Sequence, residues 1–178
     1  MKRVWVAFAI FAVVAGSAAA EWRADIRFDL PWRVGVTFED PEGGSATESM
    51  NVLQEITILL PNVVVGYGTQ LGPVAVGVGA RLYTLIVQSM VYPVGFAEAG
   101  VGPIAINFNV GGGLFGFFGV YNALDAASVA IPDLSVHFKI GRTFRLGLGG
   151  MMVLGLDDTM EYAVPHLLYV SGMFATRF

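Results

Sequence analysis

The chain has no cysteine, only two histidines, and few charges: 13% of its 178 residues are Asp, Glu, Lys or Arg. The missing cysteines exclude a disulfide scaffold and a zinc–thiolate protein. Two histidines leave too few ligands for a dedicated transition-metal site. Soluble globular domains carry roughly a quarter charged residues, so this shortage argues against an ordinary soluble domain. Net charge is −4 and no basic patch is present, which speaks against a nucleic-acid partner. No cofactor is expected. What the chain has instead is 55% hydrophobic residues and 23 glycines. That excess of apolar residues excludes disorder. A membrane protein or a very apolar secreted domain remains, with a length that suits one domain.

Lys2 and Arg3 precede an apolar run from Val4 to Gly16, and Ser17-Ala18-Ala19-Ala20 follows. A charged start, a short apolar centre and small residues at the cut site make a secretory signal peptide over residues 1–20, cleaved after Ala20. The run is shorter than the roughly 20 residues of a spanning helix. Residues 21–178 are then the mature domain, and loss of Lys2 and Arg3 takes the charge from −4 to −6. An exported apolar chain must satisfy its backbone polar groups in lipid, as a helix bundle or a closed β-barrel.

Two uncharged runs, Ile56 to Ala80 and Ala99 to Leu124, are long enough to span as helices, which keeps a helical inner-membrane protein as an alternative. Their texture opposes helix. The first contains Pro61, Gly66, Gly68, Gly72, Pro73, Gly77 and Gly79, and much of the remainder is Val, Ile and Phe, which favour strands. Period two decides for strands. From Trp22 to Phe38 the even positions are all apolar, while the odd ones include Arg23, Asp25, Arg27, Asp29 and Arg33. Leu134, Val136, Phe138 and Ile140 oppose Asp133, Ser135, His137 and Lys139 in the same way, and Phe144, Leu146 and Leu148 oppose Arg145, Gly147 and Gly149. A strand sorts alternate residues onto two faces; a helix scatters them. With glycine replacing much of the charge expected of a soluble sandwich, the large apolar face suits lipid.

The expected fold is all-β: an eight-stranded antiparallel up-and-down transmembrane barrel. The strands fall near 24–38, 56–68, 74–87, 90–101, 104–118, 131–141, 143–156 and 166–178, and each is long enough to cross a bilayer. Tight turns are expected at Thr69 to Pro73, Gly102-Pro103 and Gly141-Arg142-Thr143, and long loops at Glu39 to Glu55, Asn122 to Ala130 and Asp157 to Pro165. Short inner turns and long outer loops put both termini on the periplasmic side. Gly72-Pro73-Val74-Ala75-Val76-Gly77 and Gly102-Pro103-Ile104-Ala105-Ile106-Asn107 form a short internal repeat. Residues 88–101 sort poorly. Pro31, Pro61, Pro93 and Pro132 each remove a ladder donor and predict bulges or strand ends.

The last strand carries Leu168, Val170, Phe174 and a terminal Phe178 on one face. It resembles the carboxy-terminal assembly signal of bacterial outer-membrane proteins. With the leader, the missing cysteines and the alternating strands, the mature chain is similar to small barrels of the OmpA, OmpX or OmpW type, no one subfamily being singled out. The resemblance implies residence in the bacterial outer membrane at the cell surface and lipid contact. It also implies handling by periplasmic chaperones and by the barrel-assembly machinery, which reads Phe174 and Phe178.

Eight strands enclose a lumen about wide enough to be filled by side chains. The inward set is Arg27, Asp29, Arg33, Arg81, Asp133, Ser135, His137, Lys139 and Arg145. Opposite charges in a closed lumen should pair, giving a plugged monomeric barrel with a structural or surface-interaction role. The alternative is a narrow channel for small hydrophobic or ionic solutes, porin-like in that sense, with Gly77, Gly79, Gly111, Gly147 and Gly149 leaving room. Catalysis is not expected. Asp133, Ser135 and His137 share a face, but residues two apart on a strand sit about 7 Å apart, beyond direct hydrogen-bond reach. Glu39, Asp40, Glu42, Glu48, Glu55, Asp157, Asp158 and Glu161 make the outer loops acidic, a candidate surface for an extracellular ligand. Trp22, Trp32, Phe38, Tyr67, Phe144, Phe174 and Phe178 are candidates for aromatic girdles.

Overall fold

A computed structural model describes residues 20–39, 45–52, 58–85, 87–156 and 163–177. The signal peptide lies outside the described residues except for Ala20, as do Phe178 and most of the acidic loop residues. The elements are β1 (Ala20–Glu39), β2 (Ser45–Asn51), β3 (Leu60–Leu71), β4 (Val74–Leu85), β5 (Gln88–Val101), β6 (Ile104–Gly119), β7 (Ala123–Ile140), β8 (Phe144–Met152), β9 (Leu154–Gly155) and β10 (Ala163–Arg177). Every pairing is antiparallel. The order runs β10-β8-β7-β6-β5-β4-β3-β1, and β10 also pairs β1, so the sheet closes on itself with eight wall positions. β2 extends the wall beyond β3 by pairing the far half of β1, and the two-residue β9 continues β8 against β7. No described helix is long and apolar enough to cross a membrane, and the strands spanning both uncharged runs remove the helical alternative.

Burial is inverted relative to a soluble protein. Ile26 and Phe28 of β1, Ile104 to Val110 at even positions of β6, Leu134 to Ile140 at even positions of β7, and Leu146 and Leu148 of β8 are exposed on the outer wall. Arg27, Asp29, Arg81, Asp133 and His137 are buried inside. Gly72 and Gly102, at φ +62° and +57°, each precede a proline in a two-residue hairpin. Only glycine takes that left-handed first position without strain, and proline is preset for the second. The short repeat is therefore one turn used twice.

Several expectations need correction. The loop expected at Asn122 to Ala130 is mostly strand, because β7 begins at Ala123 and pairs Phe117 back to Gly113. The loop expected at Glu39 to Glu55 contains β2. Residues 88–101 form a regular strand with an unexpected polarity: Tyr92, Val94, Phe96 and Glu98 face inward. Large residues lie inside there and small ones outside, so a rule placing the bulky face outward fails. Pro31 and Pro93 sit at register shifts and Pro61 at a strand start. Pro132 lies where β8 gives way to β9: pairing on that side of β7 stops at Asp133–Met151 and resumes at Ala130–Leu154, so Pro132 and Ile131 pair neither strand.

Candidate functional site

The lumen is built in layers by strand alternation. Near the tight-turn end, Arg23 and Asp25 of β1 meet Glu98 of β5 and Arg145 of β8. Arg23 Nη2 lies 2.5 Å from Asp25 and 2.6 Å from Glu98, and Arg145 Nη1 lies 2.9 Å from the same Glu98 oxygen. Arg23 also donates to Asn107 Oδ1 at 3.3 Å, and Asn107 meets His137 Nδ1 at 3.2 Å. The Arg23 guanidinium covers the Phe96 ring.

One layer further in, Asp133 of β7 is shared by two guanidiniums: Arg27 Nη1 at 3.0 Å and Arg81 Nη2 at 2.6 Å. Tyr169 of β10 accepts from Arg27 Nη2 at 2.6 Å and donates its hydroxyl to Asp133. Arg27 reaches Asp29 at 3.3 Å, and Asn62 Nδ2 donates to the other Asp29 oxygen at 2.7 Å. Arg27, Asp29, Arg81 and Asp133 are each at most 2% exposed. Among the described residues the buried charges number four arginines (23, 27, 81, 145) and four carboxylates (25, 29, 98, 133), a formally neutral set. Neutrality and mutual pairing are what let eight ionised groups leave water.

Above the charges the lumen turns apolar. On the β4–β8 side Tyr92, Phe115 and Ile131 pack with Tyr83, Met90, Phe117, Val129, Met151 and Val153. The rings form a ladder from Tyr83 through Tyr92 and Phe115 to Phe117. On the opposite side a cavity of about 230 Å³ is lined by Pro31, Val34, Met50, Val52, Ile58, Leu60 and Leu167.

Arg27, Asp29, Arg81, Asp133 and Arg145 thus lie together in the charged layers, and His137 joins through Asn107. Arg33 does not. Trp32 is an extra residue on β1 between the pairs Pro31–Tyr169 and Arg33–Leu168. One added residue reverses the faces beyond it. Val34 therefore turns to the lumen, and Arg33 is exposed, donating to Ser49 Oγ at 3.0 and 2.7 Å. Lys139 sits half-exposed at the tight-turn rim and donates to Gly102 O at 3.5 Å; it joins no ion pair among the described residues. The space expected over the interior glycines is occupied. A Cβ on Gly77 would lie 2.3 Å from Phe96, one on Gly111 2.3 Å from Tyr92, and one on Gly149 2.6 Å from the Tyr169 hydroxyl. Those glycines seat large inner side chains.

Arg23, Asp25, Glu98, Asn62, Asn107 and Tyr169 were missing from the expected inward set. Glu98 had a signal: it is the one charge between Leu82 and Leu124, and an isolated charge in an apolar strand points to an interior partner. Among the described residues neither Ser135 Oγ nor His137 Nε2 has a hydrogen-bond partner, and the Nδ1 of His137 is engaged by Asn107, so no hydroxyl–imidazole pair forms there. Among the described residues no group of three or more His, Cys, Asp or Glu could hold a metal ion. On the outer wall Trp22 packs against Tyr67 at 5.5 Å and Phe144 against Phe174 at 5.0 Å, all near the tight-turn end.

No family model and no curated protein sequence matches the chain. Among solved structures it is similar to Neisserial surface protein A, with 12% identity, a TM-score of 0.46, and coverage of 92% of this chain and 99% of that one. It is also similar to the N-terminal β-barrel domain of Pseudomonas aeruginosa OprF, with 9% identity, a TM-score of 0.42, and coverage of 85% and 97%.

Proposed function

We propose that this chain is an integral barrel of the bacterial outer membrane, plugged by its own ion pairs, with a structural or surface-interaction role and no catalysis. The inverted burial carries the reading. Apolar side chains ring the outside and paired charges fill the inside, an arrangement unfavourable in water and suited to hydrocarbon. The closed sheet leaves no strand edge unpaired around the ring, as lipid requires. The plug is supported by Arg27, Arg81, Asp133, Asn62 and Tyr169, which meet across the lumen and are nearly inaccessible. A monomer that passes through periplasmic chaperones to the assembly machinery fits this reading. Any extracellular ligand would meet the exposed β1–β2 extension, which carries Glu48.

Planar-bilayer recording tests the plug: conductance should equal that of lipid alone, and discrete ion-selective steps would overturn it. The apolar cavity favours a second reading, a narrow site for small hydrophobic solutes reached from the loop end, with the charged layers as its floor. Saturable uptake of a small apolar fluorophore into proteoliposomes would favour passage, whereas binding without transfer would fit a closed floor.

A further inference from the structure

The loop ends of two neighbouring hairpins, β4–β5 and β6–β7, are apolar where aqueous loops would be polar. Leu85, Val87, Phe118, Val120, Tyr121 and Leu124 are all exposed there, Val120 by 83% and Leu124 by 72%. From Leu82 to Pro132 the only charges are Glu98, inside the lumen, and Asp125, which accepts from the Tyr121 hydroxyl at 3.3 Å. The opposite side of the same end carries the polar faces of β1 and β2 beside the apolar cavity: Arg33 bonds Ser49, and Thr37 meets Thr47 at 3.2 Å.

The wall is also tall. The 14 residues of β5, which span the bulged β6 from end to end, at about 3.3 Å each and tilted by roughly 40°, rise about 35 Å. The apolar band of such barrels is about 25 Å. On the β6–β7 side the surplus is apolar and continuous with the outer wall through Leu114 and Phe118. The β6–β7 tip moreover closes its backbone on itself and on the adjoining β5 start. Gln88 Nε2 donates to Tyr121 O at 2.9 Å, and Tyr121 N donates to Gln88 Oε1 at 3.0 Å. Gly119 N donates to Asn122 Oδ1 at 3.1 Å, Asn122 Nδ2 donates to Gly119 O at 2.9 Å, and Val120 N donates to Val87 O at 3.2 Å. A turn facing water has no need of such closure; a turn entering lipid does.

We propose that these two tips are immersed in the lipid of the outer leaflet, so that the barrel sits sunk on its β4–β7 side and meets water through the β1–β2 extension. This rests on the membrane reading above. It assigns lipid as the occupant of the crown and leaves the polar side as the surface open to soluble partners.

The test uses the full chain with Trp5, Trp22 and Trp32 replaced by Phe, refolded into phosphatidylcholine vesicles with brominated acyl chains. Single tryptophans are placed by Val120→Trp at the tip, Val136→Trp on the mid-wall and Thr47→Trp on the polar extension. Tip emission should be blue-shifted and quenched as at position 136, while position 47 stays red and unquenched. Tip emission like that of position 47 would overturn the proposal. So would blue-shifted but unquenched emission, which would mean that a second copy or another protein covers the crown. If position 136 also escapes quenching, the membrane reading has failed instead. Leu124→Trp repeats the measurement should Val120→Trp not fold.

Discussion

Asp133 joins three strands across the lumen, because it holds both Arg27 and Arg81 and accepts from Tyr169. Asp133→Asn keeps the shape and removes the charge, leaving two buried guanidiniums sharing one neutral acceptor. Breaking a buried pair from one side costs about 3–5 kcal/mol, and urea unfolding in detergent micelles should show a loss of that order. Arg33→Ala is the contrast: its exposed bond to Ser49 places it among surface changes of about 0.5 kcal/mol or less. An equal effect of the two would put Arg33 back in the lumen. Gly149→Ala approaches the same site by sterics, since its Cβ would lie within 2.7 Å of Tyr169 and Ser135 side-chain atoms. Displacing the ring should cost about 1–3 kcal/mol. The loss in the Asp133→Asn, Gly149→Ala double variant should fall short of the sum, because both act through the Tyr169–Asp133 contact.

At the scale of elements, the turns separate backbone strain from packing. Nothing lies within 4 Å of a Cβ on Gly72, at φ +62°. Gly72→Ala should therefore cost only the left-handed penalty, about 1–2 kcal/mol, with Gly72→Asn costing less; equilibrium unfolding of the two variants checks the order. Such turns were legible from Gly-Pro alone because their cause is local. So were β1 up to Pro31, β6 up to Val110, and the inner half of β7, where period two is uninterrupted. Three features were not legible, each for a non-local reason. The outer part of β7, Ala123 to Ala130, has alanines and Ser128 in place of strand formers, and it becomes strand because Gly113 to Phe117 supplies partners. β2 is exposed throughout and polar except for Ala46 and Met50, and it is fixed by the far half of β1. The single residue Trp32 reversed the faces of Arg33 and Val34, and no alternation rule detects one inserted residue without the partner strand. The charged layers were half legible: parity found Arg27 and Asp29 of β1 and the β4, β7 and β8 members, while Arg23 and Asp25 were left out at the strand's start, and Glu98, Asn62 and Tyr169 depended on which wall faces which.

For the whole molecule, everything turns on the seam between β1 and β10, the contact most distant in sequence. It spans Arg23–Arg177 to Phe38–Ala163, and without it the sheet would expose two long edges of unpaired backbone, an aggregation hazard. Closure also sets the plug, since Tyr169 and Arg27 are brought together only across this seam. Leu30 and Val170 are directly paired there, with Val170 exposed on the outer wall, and opposed residues on antiparallel strands lie about 4.5–5.5 Å apart at Cα, within disulfide range. Because the chain has no cysteine of its own, Leu30→Cys with Val170→Cys gives an unambiguous cross-link. Mild oxidation of the refolded double variant should form it in high yield, detected as faster migration of the heat-denatured chain on a non-reducing gel, whereas urea-unfolded chain should cross-link far less. Leu30→Cys with Val136→Cys, on different sides of the ring, should not cross-link within one chain. Failure of the first pair, or equal yield from both, would mean that the wall is open at β1.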